Sequence, residues 1–321
     1  MVNLGYDSYW GLAVETVWGA YDHPTIFIPF KTETLKGDMA WIERKSEMRS
    51  SRFGHTPVQG RRAYTGGVTF NGYPHVMGII LASFFGDAVS DVITFPGVVR
   101  HEYIAGTTCD RQLSLTLRKG LTDPRDGCGY KVNELNMTQD NENLLDVEIN
   151  GSGKQEDAGV AEVAVFTETF PFVFWQAALT ANAGAVTYYC DDVALKYNQT
   201  IKQDNWKIGG GQTVMNQPFK DRPLFGGTFT IDFENWDEYD RFYDFEDMAL
   251  RVVYTSTEEI VPGQVYEMII DMPKVRFKNN MPEVGSSELM TQTIEFECFA
   301  DNVYGYDTPI HVYLYDGEAT H

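Results

Sequence analysis

The sequence predicts a mostly β protein made of two tandem, similar α+β modules. Each is a β-sandwich or barrel-like unit with one short helix and one long polar loop. Three observations predict it. First, the chain contains itself twice. Leu35-Lys36 is followed by a polar stretch, the pair Arg61-Arg62, the run Gly66-Gly67-Val68-Thr69-Phe70 and an apolar helical pattern. Roughly half a chain length later come Leu195-Lys196, a second polar stretch, Arg222, the run Gly226-Gly227-Thr228-Phe229-Thr230-Ile231 and a second helical pattern. A long-period repeat decides the architecture before any single element does. Second, Tyr, Phe, Thr and Val sit in short alternating runs, the pattern of strands. Third, 321 residues, 43% of them hydrophobic, suffice for two domains of roughly 150 residues, each with its own core. The expected division is a first module at 1–153, a linker at 154–171 and a second module at 172–321.

In the first module, residues 10–17 form a short expected strand ahead of a Gly/Pro-punctuated turn at 19–24. Residues 25–36 alternate, with Ile26, Ile28, Phe30 and Leu35 as apolar markers. The stretch 37–60 is too polar and irregular for core and reads as a long loop. A strand at 61–73 follows, with Tyr64, Val68 and Phe70 alternating. Pro74 fits the first turn of a helix. Val76, Met77, Ile80, Leu81 and Phe84 then recur on one helical face, and Gly86 is a C-terminal stop. Strands are expected at 101–105, 111–118, 129–138 and 143–149, the second with Leu113, Leu115 and Leu117 in clean alternation. Residues 151–169 read as a polar link, with an alternating piece at 160–166 that predicts a strand.

The second module starts at Phe172, and residues 175–179 take the place of 10–13. A strand is expected at 185–197, a polar loop at 198–220, and a strand at 222–233 with Phe229, Ile231 and Phe233 on one face. Trp236, Tyr239, Phe242 and Tyr243 mark a short helix. Further strands are expected at 250–255, 264–277, 291–299 and 310–315.

The net charge of −21 keeps such a chain soluble and repels nucleic acid over most of its surface. A sequence-specific DNA binder is excluded on that ground, although a wall that must not stick to DNA should itself be acidic. No stretch approaches the roughly 20 continuous apolar residues of a membrane span. The first ten residues carry neither a basic region nor a long apolar core, so no secretion signal is expected.

Cys109, Cys128, Cys190 and Cys298 form no CxxC pair, and the six histidines show no paired spacing. No metal site or cofactor is expected. Cys109 and Cys128 flank one expected hairpin and are placed to face each other; the simpler reading is four reduced, mostly buried thiols. The acidic cluster Asp237, Glu238, Asp240, Asp244, Glu246 and Asp247 lacks the glycine and alternation of a calcium loop. It reads as the solvated or partner-facing side of an amphipathic helix. Nucleophile-elbow, phosphate-loop and dinucleotide fingerprints are absent. No catalytic residue is nominated, and the chain is not expected to be an enzyme.

The two long loops carry the functional expectation. Loops beyond about 12–15 residues without secondary structure are uncommon and are usually functional or disordered, and a disordered insertion has no reason to recur at the same place. Residues 43–62 hold Arg44, Lys45, Arg49, Arg52, Arg61 and Arg62 against Glu43 and Glu47, a basic patch on an acidic chain. The counterpart carries Lys202, Lys207, Lys220 and Arg222, with Gly209-Gly210-Gly211 between them. Either these are solvated loops, or they are docking arms that meet an acidic surface of another copy. The ten basic residues are the candidate inter-subunit or inter-ring docking residues.

The run Tyr9-Trp10-Gly11-Leu12-Ala13-Val14-Glu15-Thr16, followed by Thr25-Ile26-Phe27-Ile28-Pro29-Phe30-Lys31-Thr32-Glu33-Thr34-Leu35, resembles the opening of major tail tube proteins of long-tailed, siphovirus-like bacteriophages. Arg49-Ser50-Ser51-Arg52, Gly60-Arg61-Arg62, Gly66-Gly67-Val68-Thr69-Phe70 and the helix after them continue the likeness in the same order. Through the duplication it covers nearly the whole chain. Many single-module relatives form hexameric rings, and the two-module plan is where this chain departs from them. The resemblance implies modules whose sheets join between subunits, rings that stack into a tube, and a lumen through which DNA passes during ejection without specific binding. Two modules per chain imply homotrimeric, pseudo-hexameric rings. The implied partners are the chain itself, the tape measure protein and DNA in the lumen, and tail terminator and baseplate proteins at the ends. The implied location is the virion tail, with assembly in the host cytoplasm. A related reading is a single-ring tail terminator or baseplate protein. A reading from another class is a β-rich carbohydrate-binding or hydrolytic protein that uses its many Trp and Tyr residues as sugar platforms.

Overall fold

The computed structural model describes residues 5–44, 56–86, 88, 90–105, 112–120, 122–167, 169–279, 281–282, 290–303 and 306–318. In chain order the strands of the first half are β1 (Tyr9–Val14), β2 (Ile26–Ile28), β3 (Phe30–Glu33), β4 (Lys36–Ile42), β5 (Val58–Asn71), then helix α1 (Pro74–Phe85), β6 (Ser90–Phe95), β7 (Val98–Ile104), β8 (Leu113–Arg118), β9 (Arg125–Asp140), β10 (Asp146–Gly153) and β11 (Gln155–Ala158). The second half has β12 (Ala177–Ala181), β13 (Val186–Tyr188), β14 (Cys190–Asn198), β15 (Leu224–Asp232), helix α2 (Asp237–Tyr243), β16 (Met248–Val261), β17 (Gln264–Asn279), β18 (Thr291–Cys298), β19 (Asp301–Val303), β20 (Tyr306–Thr308) and β21 (His311–Asp316).

All pairings between these strands are antiparallel. In the first half β1 bonds to β2 and β8, β8 to β9, β9 to β10, β10 to β5, and β5 to β3 and β4. In the second half β12 bonds to β13 and β16, β16 to β17, β17 to β18, β18 to β15, and β15 to β14. The two successions follow the same order link for link, and in each the helix follows the strand that carries the double glycine.

Two joins connect the halves. β14 lies along β9, from Asn198 opposite Glu134 to Asp192 opposite Asp140. β21 lies along β7, from His311 opposite Ile104 to Asp316 opposite Val99. At the second join, His101 Nε2 sits 3.1 Å from Asp316 Oδ1 and His311 Nε2 sits 2.6 Å from Glu102 Oε1. The buried His101 ring has a hydrogen-bonding partner in Asp316, and the buried His311 ring lies at ion-pair distance from Glu102. The first join makes one continuous sheet in the order β3/β4, β5, β10, β9, β14, β15, β18, β17.

The double glycines mark close backbone approaches in that sheet. A Cβ on Gly67 would strike the Ile149 carbonyl, and one on Gly227 would strike the Ala194 carbonyl. Gly66 also has φ +133, a region that disfavours side chains. The side chains around them correct the sequence match, however. Tyr64, Val68 and Phe70 point inward in β5, whereas Phe225 and Phe229 do so in β15. Strand faces alternate with period two, so the glycine pairs correspond with an offset of one residue.

Helix α1 begins at Pro74, as expected, and ends where Gly86, at φ 98, donates to the Ala82 carbonyl. The sequence suggested one apolar face; the structure buries every residue from Val76 to Phe85. The helix touches β7 and β9 of the first half and β17 and β21 of the second. Helix α2 is the opposite case, with no buried residue.

Several expected elements differ. The stretch 37–60 was expected to be loop, but its described ends are β4 and the start of β5, paired from Lys36 opposite Thr65 to Ile42 opposite Val58. All of β4 is exposed, so burial leaves no alternation to read. Residues 160–166 form no strand and contribute only a single bridge, Phe27 to Phe166. The polar link instead contains β11, which pairs with the start of β9. The single strand expected at 185–197 is broken into β13 and β14. The strand β6 and the β19–β20 hairpin were not anticipated. In β8, Ser114 and Thr116 are buried as fully as the leucines, so both faces are covered.

Candidate functional site

The basic residues nominated from sequence fall into three groups. Lys45, Arg49 and Arg52 lie outside the described residues, while Arg44, just past β4, is half-buried and partnered. Arg61 and Arg62 are exposed on β5 and meet the second long loop. The Arg61 guanidinium lies 4.8 Å from the centroid of the Trp206 ring, and the Arg62 backbone N–H donates to the Gln212 carbonyl at 2.8 Å. Lys202 is half-buried, and Lys207, Lys220 and Arg222 are exposed on that loop. Basic residues that the sequence separates by half the chain are thus neighbours.

The loop at 199–223 carries no strand, only the bridge Ile201 to Phe219, yet it is packed. Ile201, Asn205, Val214 and Gln217 are buried. Its hydrogen bonds run to the first half. The Ile201 N–H donates to Asn133 Oδ1 at 2.7 Å, Gln217 Nε2 donates to the Ser152 carbonyl at 2.9 Å, and Gln199 Nε2 donates to the Phe84 carbonyl at 2.8 Å. Within the chain these contacts tie the loop to the first half. It also borders a polar cleft of about 760 Å³ lined by Asn133, Glu134, Asn150, Asn198, Lys202 and Lys220 among others. Its amides are engaged by neighbouring groups: Asn198 Nδ2 donates to Glu134 Oε1 and Asn150 Nδ2 to Glu148 Oε1, each at 2.9 Å.

The acidic helix and the end of β17 form a second surface. Glu238 accepts the Tyr188 hydroxyl at 2.9 Å, and burial raises its pKa. Asp247 is held between Arg276 and Lys274, the latter at 3.0 Å, and these hydrogen bonds lower its pKa. Asp237, Asp240, Asp244 and Glu246 are exposed, and so are the apolar side chains of Trp236, Tyr243 and Phe245. Phe245, at φ 61, helps line a cleft of about 260 Å³ with Phe242, Arg276, Phe277 and Phe299.

A third surface is the β4–β5 arm. Trp41 is 67% exposed on one face of the hairpin, Ile42 and Val58 are exposed on the other, and Met39 is exposed as well, with Lys36, Arg61 and Arg62 on the same hairpin. Large apolar side chains left in water on both faces of one arm mark it as a surface for a partner to cover. Sequence reasoning took this segment for polar loop and nominated only its charges. The available signal was Met39, Trp41 and Ile42, large apolar residues at the edge of a supposedly solvated stretch.

The described cysteines are free thiols. Burial pushes Cys128 up to about 11 and Cys190 up to about 12, away from the thiolate. Cys109 lies outside the described residues. Among the described residues no group of three or more His, Cys, Asp or Glu side chains is placed to hold a metal. No described helix is long and apolar enough to cross a membrane.

No curated protein matches this chain. The family model of the phage tail tube proteins matches residues 5–298. Over that span the match takes in both successions of strands and both helices, and the chain belongs to the phage tail tube protein family, as a structural protein of the virion tail.

Proposed function

We propose that the chain self-assembles head to tail into rings of three, each with pseudo-sixfold symmetry, and that the rings stack into a tube that conducts DNA during ejection. The observation that carries this reading is the repeated strand order together with the β9–β14 join. One half of the chain adds its sheet to the other, and the remaining ends of that sheet invite further copies. A heterologous contact closes into a ring when its rotation fits, and sheet edges are ready templates for pairing. The reading takes 1–153 and 172–321 as the two modules and 154–171 as the link between them. Tape measure protein shares the lumen with DNA, and terminator and baseplate proteins close the ends.

The net charge of −21 per chain supports a lumen of negative potential, through which phosphates pass without the trapping that rows of Lys and Arg contacts bring. The basic residues from Arg44 to Arg62 then serve protein contacts, and reversing Arg49 and Arg52 to Glu impairs polymerisation while the monomer stays folded.

Negative-stain microscopy of the purified protein, with mass measurement of isolated rings, tests the reading. Stacked rings of three chains are expected. Six chains per ring, or an absence of rings at any concentration, overturns it. Rings that never stack point to a terminator or baseplate role instead.

A further inference from the structure

Within the chain, the second half grips the first with one set of elements. β14 extends the sheet at β9, the loop after it reaches Asn133, Ser152 and Phe84, and Phe84 and Phe85 at the end of α1 pack on Tyr197 and Phe225. The giving elements are β14, its loop and β15; the receiving elements are α1 and β9. By strand order, the counterparts of the givers are β3, β4 and the start of β5. The counterparts of the receivers are α2 and β17.

Among the described residues both counterparts leave surface open, β4 being exposed throughout and α2 burying nothing, although Arg61 and Arg62 of β5 meet the loop at 199–223. β3 and β4 bond only to β5 and show no partner on their other edge. β16 meets β17 no further along than Met248 opposite Val275, so among the described residues β18 is the one strand beside Arg276 to Lys278, and on the other side the side chains of Asp247 and Phe245 meet Arg276. Helix α1 buries eleven residues and α2 buries none. The two open surfaces also match in kind. The arm exposes Met39 and Trp41, and on the face opposite Trp41 Ile42 and Val58, beside Lys36, Arg61 and Arg62 with the acid Asp38 among them, and the helix face exposes Tyr243 and Phe245 beside Asp237, Asp240, Asp244 and Glu246. Apolar area with opposite charges around it gives affinity together with register.

We propose that the β3–β4 arm of one copy docks on the α2–β17 face of a second copy, repeating between chains the contact that β14 and its loop make on β9 and α1 within the chain. This rests on the head-to-tail reading above and names its two surfaces.

Two exposed positions test it. Trp41→Asp disables the arm and keeps the helix face; Phe245→Asp disables the helix face and keeps the arm. Each variant alone should be monomeric by sedimentation at concentrations where the wild type forms rings. The expected weakening is on the order of 30-fold or more for a central aromatic anchor. An equimolar mixture should give a heterodimer and stop there, because one intact arm and one intact face remain. Should either variant lose its unfolding transition, Ile42→Ser and Tyr243→Ser replace the pair. If the wild type forms rings while the variants assemble like it, or their mixture stays monomeric, this docking is wrong and the ring reading stands. A wild type that never assembles overturns both.

Discussion

The side-chain amide of Gln199 donates to the backbone carbonyl of Phe84 at 2.8 Å, so a residue of the second half completes the last turn of the first half's helix. The final carbonyls of a helix have no partner within it, and Gln199 is itself only 2% exposed. Gln199→Ala leaves a buried acceptor unpaired and should destabilise by about 1–3 kcal/mol. Urea unfolding measures it. A midpoint equal to that of the wild type would mean that water replaces the amide.

The burial of α1 on all sides makes its apolar residues the most sensitive in the chain. Phe84→Ala should cost about 3–5 kcal/mol and Ile80→Ala about 2–5 kcal/mol. Because Phe84 meets Tyr197 and Phe225 across the halves, its loss should destabilise both halves together. Two separated unfolding transitions in the Phe84 variant would show instead that the halves are energetically independent.

Gly227→Ala places a methyl group against the Ala194 carbonyl and the Phe296 ring. The sheet must part or the strand must shift, at a cost of about 1–3 kcal/mol or more. Gly5→Ala is the control, since nothing lies within 4 Å of its new Cβ. Equal melting temperatures for the two variants would contradict the close approach of β14 and β15.

His75 gives a pH dependence. Burial lowers its pKa from 6.5 to about 4, so the fold holds the ring neutral while the unfolded chain protonates it at higher pH. The unfolded state therefore binds more protons between these values, and stability falls as pH drops from about 6.5 toward 4. Burial raises the Glu15 and Glu238 pKa values, and these groups act in the opposite sense. The difference between wild type and His75→Gln at pH 7 and pH 5 isolates the histidine. The variant should lose less stability on acidification; an equal loss would mean that His75 is not kept neutral.

What the sequence disclosed follows from where side chains sit. β5 and β15 were readable because Phe70 and Phe229 alternate with polar neighbours on half-buried strands, and β1 as a short apolar run around Trp10. Helix α1 was readable from its proline start and glycine stop. β4 was not, since all of it is exposed and burial imposes no alternation on its residues. The β9–β14 join could not be read either: such pairing depends on register between distant segments, and nothing local to Glu134 or Asn198 encodes it. For the candidate site, charge pointed to the two long loops, but the second packs on its own chain through Gln199, Ile201 and Gln217 rather than through its lysines. Trp41 and Phe245 were passed over because exposed apolar residues carry no periodicity that marks a surface.

The β14 strand reaches β9 through covalently continuous chain, so dilution cannot separate that contact as it separates two molecules. Its effective concentration is fixed by the connecting chain rather than by the amount of protein present. In a ring of three, only alternate module boundaries would then obey mass action, and the loss of translational and rotational freedom on association would fall on half of the contacts. A duplicated chain of this kind should close rings at lower protein concentration than six separate modules with the same surfaces.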